Sequence, residues 1–198
     1  MKHYEQYKKR KIAEIDENLE NDAALKYYKR CLETNTLPLP IFEKIFKKTL
    51  CLYDYILSEG QCQGIADACD LIDHKYMNRV LLSNCGISGD NFATILEGLI
   101  KVKDFKSVIY KHNELNSRSI EKLGPLFWRR VPHHLTELHI IDCKIHPVAL
   151  EELFDLMLGP CFVQNFALVN AHHTEGSFSK LCQYVKTSPR LVELNVSW

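Results

Sequence analysis

Two adjacent histidine pairs, His133–His134 and His172–His173, and the couple His139 and Cys143 are the groupings in this sequence that could bind a transition metal. Neutral imidazole and thiolate are common zinc donors, and a four-residue spacing on a helix would put two of them on one face. The surrounding pattern argues against a metal site. His139 falls in an alternating apolar stretch that reads as a strand, and Cys143 falls in the turn after it. Each adjacent pair sits in a loop beside a strand, where neighbouring side chains diverge. The chain has no CxxC pair, no HExxH, no GxxxxGK[ST] phosphate loop and no GxSxG elbow, and Gly86-Ile87-Ser88-Gly89 reads as a turn. No catalytic residue, metal ligand or cofactor is expected.

The elements that carry these residues repeat. Each unit has apolar residues at positions 1, 4, 6 and 11 and an Asn or Cys at position 9. Met77, Val80, Leu82, Cys85 and Ile87 form one copy, and Phe105, Val108, Tyr110, Asn113 and Leu115 the next. Leu135, Leu138, Ile140, Cys143 and Ile145 follow, then Val163, Phe166 and Leu168 with Ala171 and His173 in the turn slots, then Leu191, Leu194 and Val196. The copies begin 28, 30, 28 and 28 residues apart. Leu50, Leu52, Tyr55 and Leu57 suit a degenerate earlier copy.

Positions 4 and 6 make one face of a short strand, and the second half of each copy is apolar at helical spacing. The helical sets are Phe92, Ile95, Leu96 and Leu99; Ile120, Leu123, Leu126 and Phe127; Leu150, Leu153, Phe154 and Met157; and Phe178, Leu181, Cys182 and Val185. A strand and a helix of this size cannot bury their apolar faces alone, so successive copies must stack. Position 9, where the chain leaves the strand, suits a side chain that bonds backbone groups of neighbouring turns. Cys85, Asn113 and Cys143 are therefore read as structural turn residues.

On these residues the sequence resembles the ribonuclease-inhibitor-like class of leucine-rich repeat proteins over roughly residues 50 to 198. The resemblance implies an α/β fold: a right-handed solenoid with parallel strands on its concave face and helices on its convex face. Residues 49–198 would hold about five copies, the last incomplete, because Arg190 to Trp198 supplies a strand and no helix after it. Residues 1–48 read as a helical N-terminal cap, with helices over 3–15 and 22–33 and a short one from Pro40 through Phe46. The order Tyr27, Tyr28, Cys31, Leu37-Pro-Leu-Pro40 and then Leu50 is similar to the opening of centrosomal and ciliary leucine-rich repeat proteins.

Composition narrows the partners. Basic and acidic residues number 25 each, so broad nucleic-acid binding is not indicated. No apolar run approaches the roughly 20 residues needed to span a bilayer. The amino terminus is charged throughout and has no apolar signal core, which points to the cytoplasm, and the eight cysteines are expected to be reduced thiols. Lys8 to Lys11 form a basic cluster, read as a solvated helix face or as a contact with an acidic partner such as phosphates or a tubulin surface in a cytoskeletal or axonemal assembly.

With positions 4 and 6 turned inward, positions 3, 5, 7 and 8 face the concave side or its edge. The expected protein-binding face comprises Tyr53, Leu81, Ile109, Lys111, His139, Ile141, Ala167, Val169 and Asn195, beside a polar edge at position 8. An apolar centre within a polar rim is the anatomy of an interface, although short parallel strands also favour such residues on both faces. The expected function is a non-catalytic interaction scaffold or a subunit of a larger assembly, whose partner is another protein. The alternatives are activation of the GTPase Ran, with Arg79 and Asn84 near the nucleotide, and a ciliary or centrosomal structural role.

Overall fold

The computed structural model describes residues 22–41, 45–72, 75–128 and 135–197. The expected helix over 3–15, the Lys8 to Lys11 cluster, the pair His133–His134 and Trp198 lie outside the described residues. Helix α1 spans Asp22–Glu33, where a helix over 22–33 is expected. Strand β1 (Ile45–Phe46) then pairs antiparallel with β2 (Thr49–Tyr53). The remainder alternates: α2 (Glu59–Ala68), β3 (Arg79–Ser83), α3 (Gly89–Leu99), β4 (Ser107–Lys111), β5 (Glu114–Leu115), α4 (Ser117–Phe127), β6 (Glu137–Ile141), β7 (Lys144–Ile145), α5 (Pro147–Met157), β8 (Asn165–Val169), α6 (Glu175–Thr187) and β9 (Glu193–Ser197). Among the described residues there are six α-helices, and none is long and apolar enough to cross a membrane.

The main sheet runs β1-β2-β3-β4-β6-β8-β9, with β2 to β9 mutually parallel, and β5 and β7 form a small parallel pair beside it. Its register follows the repeat: Leu50, Val80, Val108, Leu138, Phe166 and Leu194 are consecutive ladder partners. The degenerate copy thus contributes a complete strand, Thr49–Tyr53, to the same sheet, with Leu50, Leu52 and Leu57 buried. Positions 4 and 6 from β2 to β8 are each 2% exposed or less, which places one face of the sheet in the core. Consecutive helices pack against one another. Aromatic rings link copies: Phe92 stacks on Tyr110 with centroids 3.8 Å apart, and Phe166 meets both Phe154 and Tyr184 edge to face.

Each repeat helix starts at the same place. Position 12 holds Ser58, Ser88, Asn116, His146 and Thr174, and every one of these side chains accepts a backbone N–H of the first turn. That bond satisfies one of the donors left unpaired at a helix start.

Two expectations are corrected. The segment through Phe46 is not helical at its end: Ile45 and Phe46 are paired with Leu50 and Thr49. The two intervening residues, Lys47 and Lys48, both have positive φ (50° and 65°), the geometry of a two-residue hairpin turn whose twist matches the strands. Secondly, Phe178, Cys182 and Val185 are not core. Phe178 is 46% and Val185 41% exposed and Cys182 is exposed, whereas the corresponding residues of α3, α4 and α5 are 1% exposed or less. In those copies the next repeat covers the slots; among the described residues no further strand and helix pack beyond β9 and α6.

Helix α1 packs on α2 through Tyr27, Cys31 and Ala23, all fully buried. The contact is close: a Cβ on Gly64 would lie 2.8 Å from the Tyr27 ring and 3.2 Å from its carbonyl oxygen, so only glycine fits there.

Candidate functional site

The face of the sheet turned away from the core is a lattice of odd-numbered repeat positions. Position 5 runs Cys51, Leu81, Ile109, His139, Ala167 and Asn195; position 7 runs Tyr53, Ser83, Lys111, Ile141, Val169 and Ser197. Parallel partners in such a ladder sit about 4.8 Å apart. Leu81, Ile109, Ile141 and Val169 therefore form an apolar diagonal across four strands, each only half-buried, as are Lys111 and His139. Tyr53 is 51% exposed and Asn195 is exposed at the ends. One member departs from the expectation: Ala167 is only 4% exposed, because its methyl group is overtopped by the longer ladder neighbours His139 and Asn195.

Position 3, expected on this side of the sheet but not named in the protein-binding set, completes the face. It holds Thr49, Arg79, Ser107, Glu137, Asn165 and Glu193. At its centre the Ser107 hydroxyl donates to Glu137 Oε2, and Glu137 Oε1 lies 3.7 Å from His139 Nε2. Ser107, Glu137 and His139 thus form a polar knot beside Ile109. A strand-face pattern that counts only apolar residues misses it, although the position-3 column was readable from the same register.

The edge of this face is built by backbone geometry. Asp54, Asn84, His112, Asp142 and Asn170, all at position 8, have φ between 51° and 57°. Asn and Asp tolerate this left-handed conformation better than most residues, which explains why they recur where each strand turns away. Their side chains then pair along the edge: Asn84 Nδ2 donates to Asp54 Oδ1 at 2.7 Å and Asn170 Nδ2 to Asp142 Oδ1 at 3.0 Å. His112 Nδ1 stands 3.9 Å from Asp142 Oδ2. The Asn84 amide is therefore engaged within the edge, while Arg79 is exposed on β3.

The turn slot lies just inside that edge. Asn113 Oδ1 accepts the N–H groups of Cys85 (2.9 Å) and Ile87 (3.2 Å), and its Nδ2 donates to the carbonyls of Lys111 (2.7 Å) and Leu82 (3.3 Å). The thiols do a smaller version of this. Cys85 donates to the Leu52 and Ser83 carbonyls and Cys143 to those of Tyr110 and Ile141, all at 3.4 Å. Burial pushes the Cys143 thiol up to about 11, against a lesser lowering by backbone hydrogen bonds. Burial also raises Cys85, and it pushes Cys62 and Cys69 up to about 12. Such thiols stay protonated near neutral pH and are poor nucleophiles. All eight cysteines are unpaired.

The groupings that suggested metal chemistry are separated. His139 stands on the open face, while the Cys143 thiol is buried in the turn. His172 is exposed, and His173 packs between the Phe154 and Phe178 rings, with Nδ1 3.4 Å from the Ser177 hydroxyl; burial lowers its pKa. Among the described residues, no three His, Cys, Asp or Glu side chains are gathered as a metal site would need.

No family model matches the sequence, and no curated protein matches it. The fold is similar to that of leiomodin-1 actin-binding site 2, with a TM-score of 0.57 and 11% identity over 76% of this chain and 90% of that one. It is also similar to a tropomodulin C-terminal domain from Caenorhabditis elegans, with a TM-score of 0.52 and 9% identity over 74% and 89% of the two chains. At such identities the likeness is one of fold.

Proposed function

We propose that this chain is a non-catalytic protein-interaction module: a leucine-rich repeat solenoid, capped by α1, that binds a partner protein on its open strand face. The observation that carries this reading is the half-buried apolar diagonal Leu81, Ile109, Ile141 and Val169. The even-numbered residues of the same strands are at most 2% exposed, so the core is filled without these four. Beside this diagonal Glu137, held by the buried Ser107 hydroxyl, and His139, with Arg79 and Lys111, would supply the oriented polar groups that give such a surface specificity.

Actin is the first partner to test, because one protein of similar fold is described by its actin-binding site. Sedimentation with filamentous actin, and gel filtration with monomeric actin, should show the chain moving with one of them. The double substitution Ile109→Asp, Ile141→Asp should abolish that movement while leaving the far-ultraviolet circular dichroism unchanged. Binding that survives the double substitution would show that the open face is not the interface. Absence of binding to both actin forms would remove actin and leave the face to be tested with other cytoskeletal proteins.

A further inference from the structure

Basic and acidic residues balance over the whole chain, yet they do not balance at the end of the sheet where β2, β3 and β4 begin. Three stretches meet there: residues 45–49 with the hairpin turn, 75–79 leading into β3, and 103–107 leading into β4. Their backbones are tied in a row. The Lys48 carbonyl accepts the N–H groups of Asn78 (3.0 Å) and Arg79 (3.2 Å), and the Asn78 carbonyl accepts that of Lys106 (2.7 Å). Together the stretches carry six cations, Lys47, Lys48, Lys75, Arg79, Lys103 and Lys106, against one carboxylate, Asp104, so they gather positive charge on a chain that has no net charge. Lys106 is half-buried and the other five are exposed, as is Tyr76 among them, at 71%.

The fold does not call for lysines at this end. The equivalent loop before β8, residues 158–164, holds no charged residue. Cations on the helices are matched across neighbouring elements: Lys26 with Asp70, Arg30 with Asp67, Lys122 with Glu97 and Lys180 with Asp155. By contrast, Lys48, Arg79 and Lys103 make no ion pair among the described residues. Like charges crowded without counter-charges repel one another, and the natural relief is an anionic partner.

We propose that this basic end of the sheet binds an acidic peptide segment, an extended run of glutamates and aspartates on another protein. The backbones of Lys48 and Lys106 are two ladder steps, or about 10 Å, apart. An extended run of about six residues, at roughly 3.3 Å each, crosses that row with a residue or two to spare at either end. Five of the six cations are lysines, whose compact ammonium groups attract carboxylates without a fixed geometry, whereas phosphate recognition favours the planar fork of arginine. A single-stranded nucleic acid would also need a series of rings for its bases, and Tyr76 is the one aromatic side chain exposed in the three stretches. The patch meets the open face of the sheet only at Arg79, so it stands apart from the apolar diagonal and does not depend on the partner binding proposed above.

The test is fluorescence anisotropy of a labelled hexaglutamate peptide with the whole chain. Binding should be saturable and should weaken roughly tenfold or more between about 50 and 300 mM sodium chloride, because exposed charges are screened. The double reversal Lys48→Glu, Lys103→Glu should weaken it by roughly tenfold or more, whereas the same change of charge at the exposed Lys144 and Lys186, away from the patch, should alter it by less than about twofold. On the unaltered chain, the bound peptide should protect Lys48 and Lys103 from acetylation by an N-hydroxysuccinimide ester, read by mass spectrometry, and leave Lys144 and Lys186 as reactive as before. Misfolding of the double variant therefore does not blur the outcome. Absence of peptide binding at low salt would overturn the proposal, as would protection at Lys144 and Lys186 instead. Tighter binding to a hexathymidylate oligonucleotide or to vesicles containing phosphatidylserine would overturn it in favour of a phosphate-bearing ligand.

Discussion

Asn113 Oδ1 holds the backbone N–H of Cys85, one repeat earlier, at 2.9 Å, and so ties the turn of one copy to the strand end of the next. The same carboxamide reaches Ile87, Leu82 and Lys111, so one buried side chain satisfies four backbone groups. Asn113→Ala strands them and should destabilise the fold by about 2–4 kcal/mol, since unpaired buried polar groups cost far more than a hydrogen bond returns. Asn113→Cys, which installs the side chain found at positions 85 and 143, should cost less but not nothing, because the thiol cannot reproduce both amide donors and the carbonyl acceptor. Urea denaturation of the two variants beside the parent checks the order.

The packing of α1 depends on Gly64. Its Cβ would lie 2.8 Å from the fully buried Tyr27 ring, so Gly64→Ala should lose about 1–3 kcal/mol through overpacking. Gly124, in α4, has its nearest such neighbour at 3.4 Å, a flexible rim atom of Trp128. There the same substitution should be neutral or stabilise by roughly 0.5–1 kcal/mol, as alanine restricts the unfolded chain. Equal losses at both sites would show that α1 is not held against α2 in this way.

The open face should be separable from stability. Ile109 and Ile141 keep part of their surface in solvent, so changing each to Asp should cost roughly 1 kcal/mol or less from strand propensity alone. Replacing their even-numbered neighbours Val108 and Ile140 by Asp should unfold the chain, because both are buried. Thermal melts of the two pairs provide the contrast; comparable collapse of both would mean that the face is core.

Stability should also fall on acidification through His173. Burial lowers its pKa in the fold below that of the unfolded chain, so between the two values the unfolded state takes up a proton that the native state refuses. The imidazole thus contributes nothing to pH dependence at neutral pH, and stability drops as pH falls below the ordinary histidine range near 6.5. His173→Phe, which keeps a ring between Phe154 and Phe178, should flatten that part of the profile. Melting temperatures across the mildly acidic range test it; an unchanged slope would show that the folded state protonates His173 as readily as the unfolded chain does.

The repeat spacing alone was enough to read the register of the main sheet. An apolar period of 28 to 30 residues, with strand alternation in one half and helical spacing in the other, admits few arrangements except parallel stacking. From it came the ladder that sets Leu81 beside Ile109 and Ile141 beside Val169, and the placing of Cys85, Asn113 and Cys143 where strands end. The position-12 caps Ser58, Ser88, Asn116, His146 and Thr174 were legible in the same register and went unread, since capping residues are polar and an apolar pattern passes over them.

Three matters only the tertiary structure decided. The Lys47–Lys48 hairpin turn puts two lysines at positive φ, which no turn propensity announces; the returning β1 strand forces it. The knot of Ser107, Glu137 and His139 joins residues 30 apart in sequence and exists because adjacent strands bring them together. Whether an apolar side chain is core depends on what covers it: Leu153 and Leu99 are buried, yet Val185, in the slot that Met157 fills one repeat earlier, lies open. Periodicity reports which residues share a face, because that follows from local backbone geometry. What lies against the face is a long-range fact, settled only when the chain is folded.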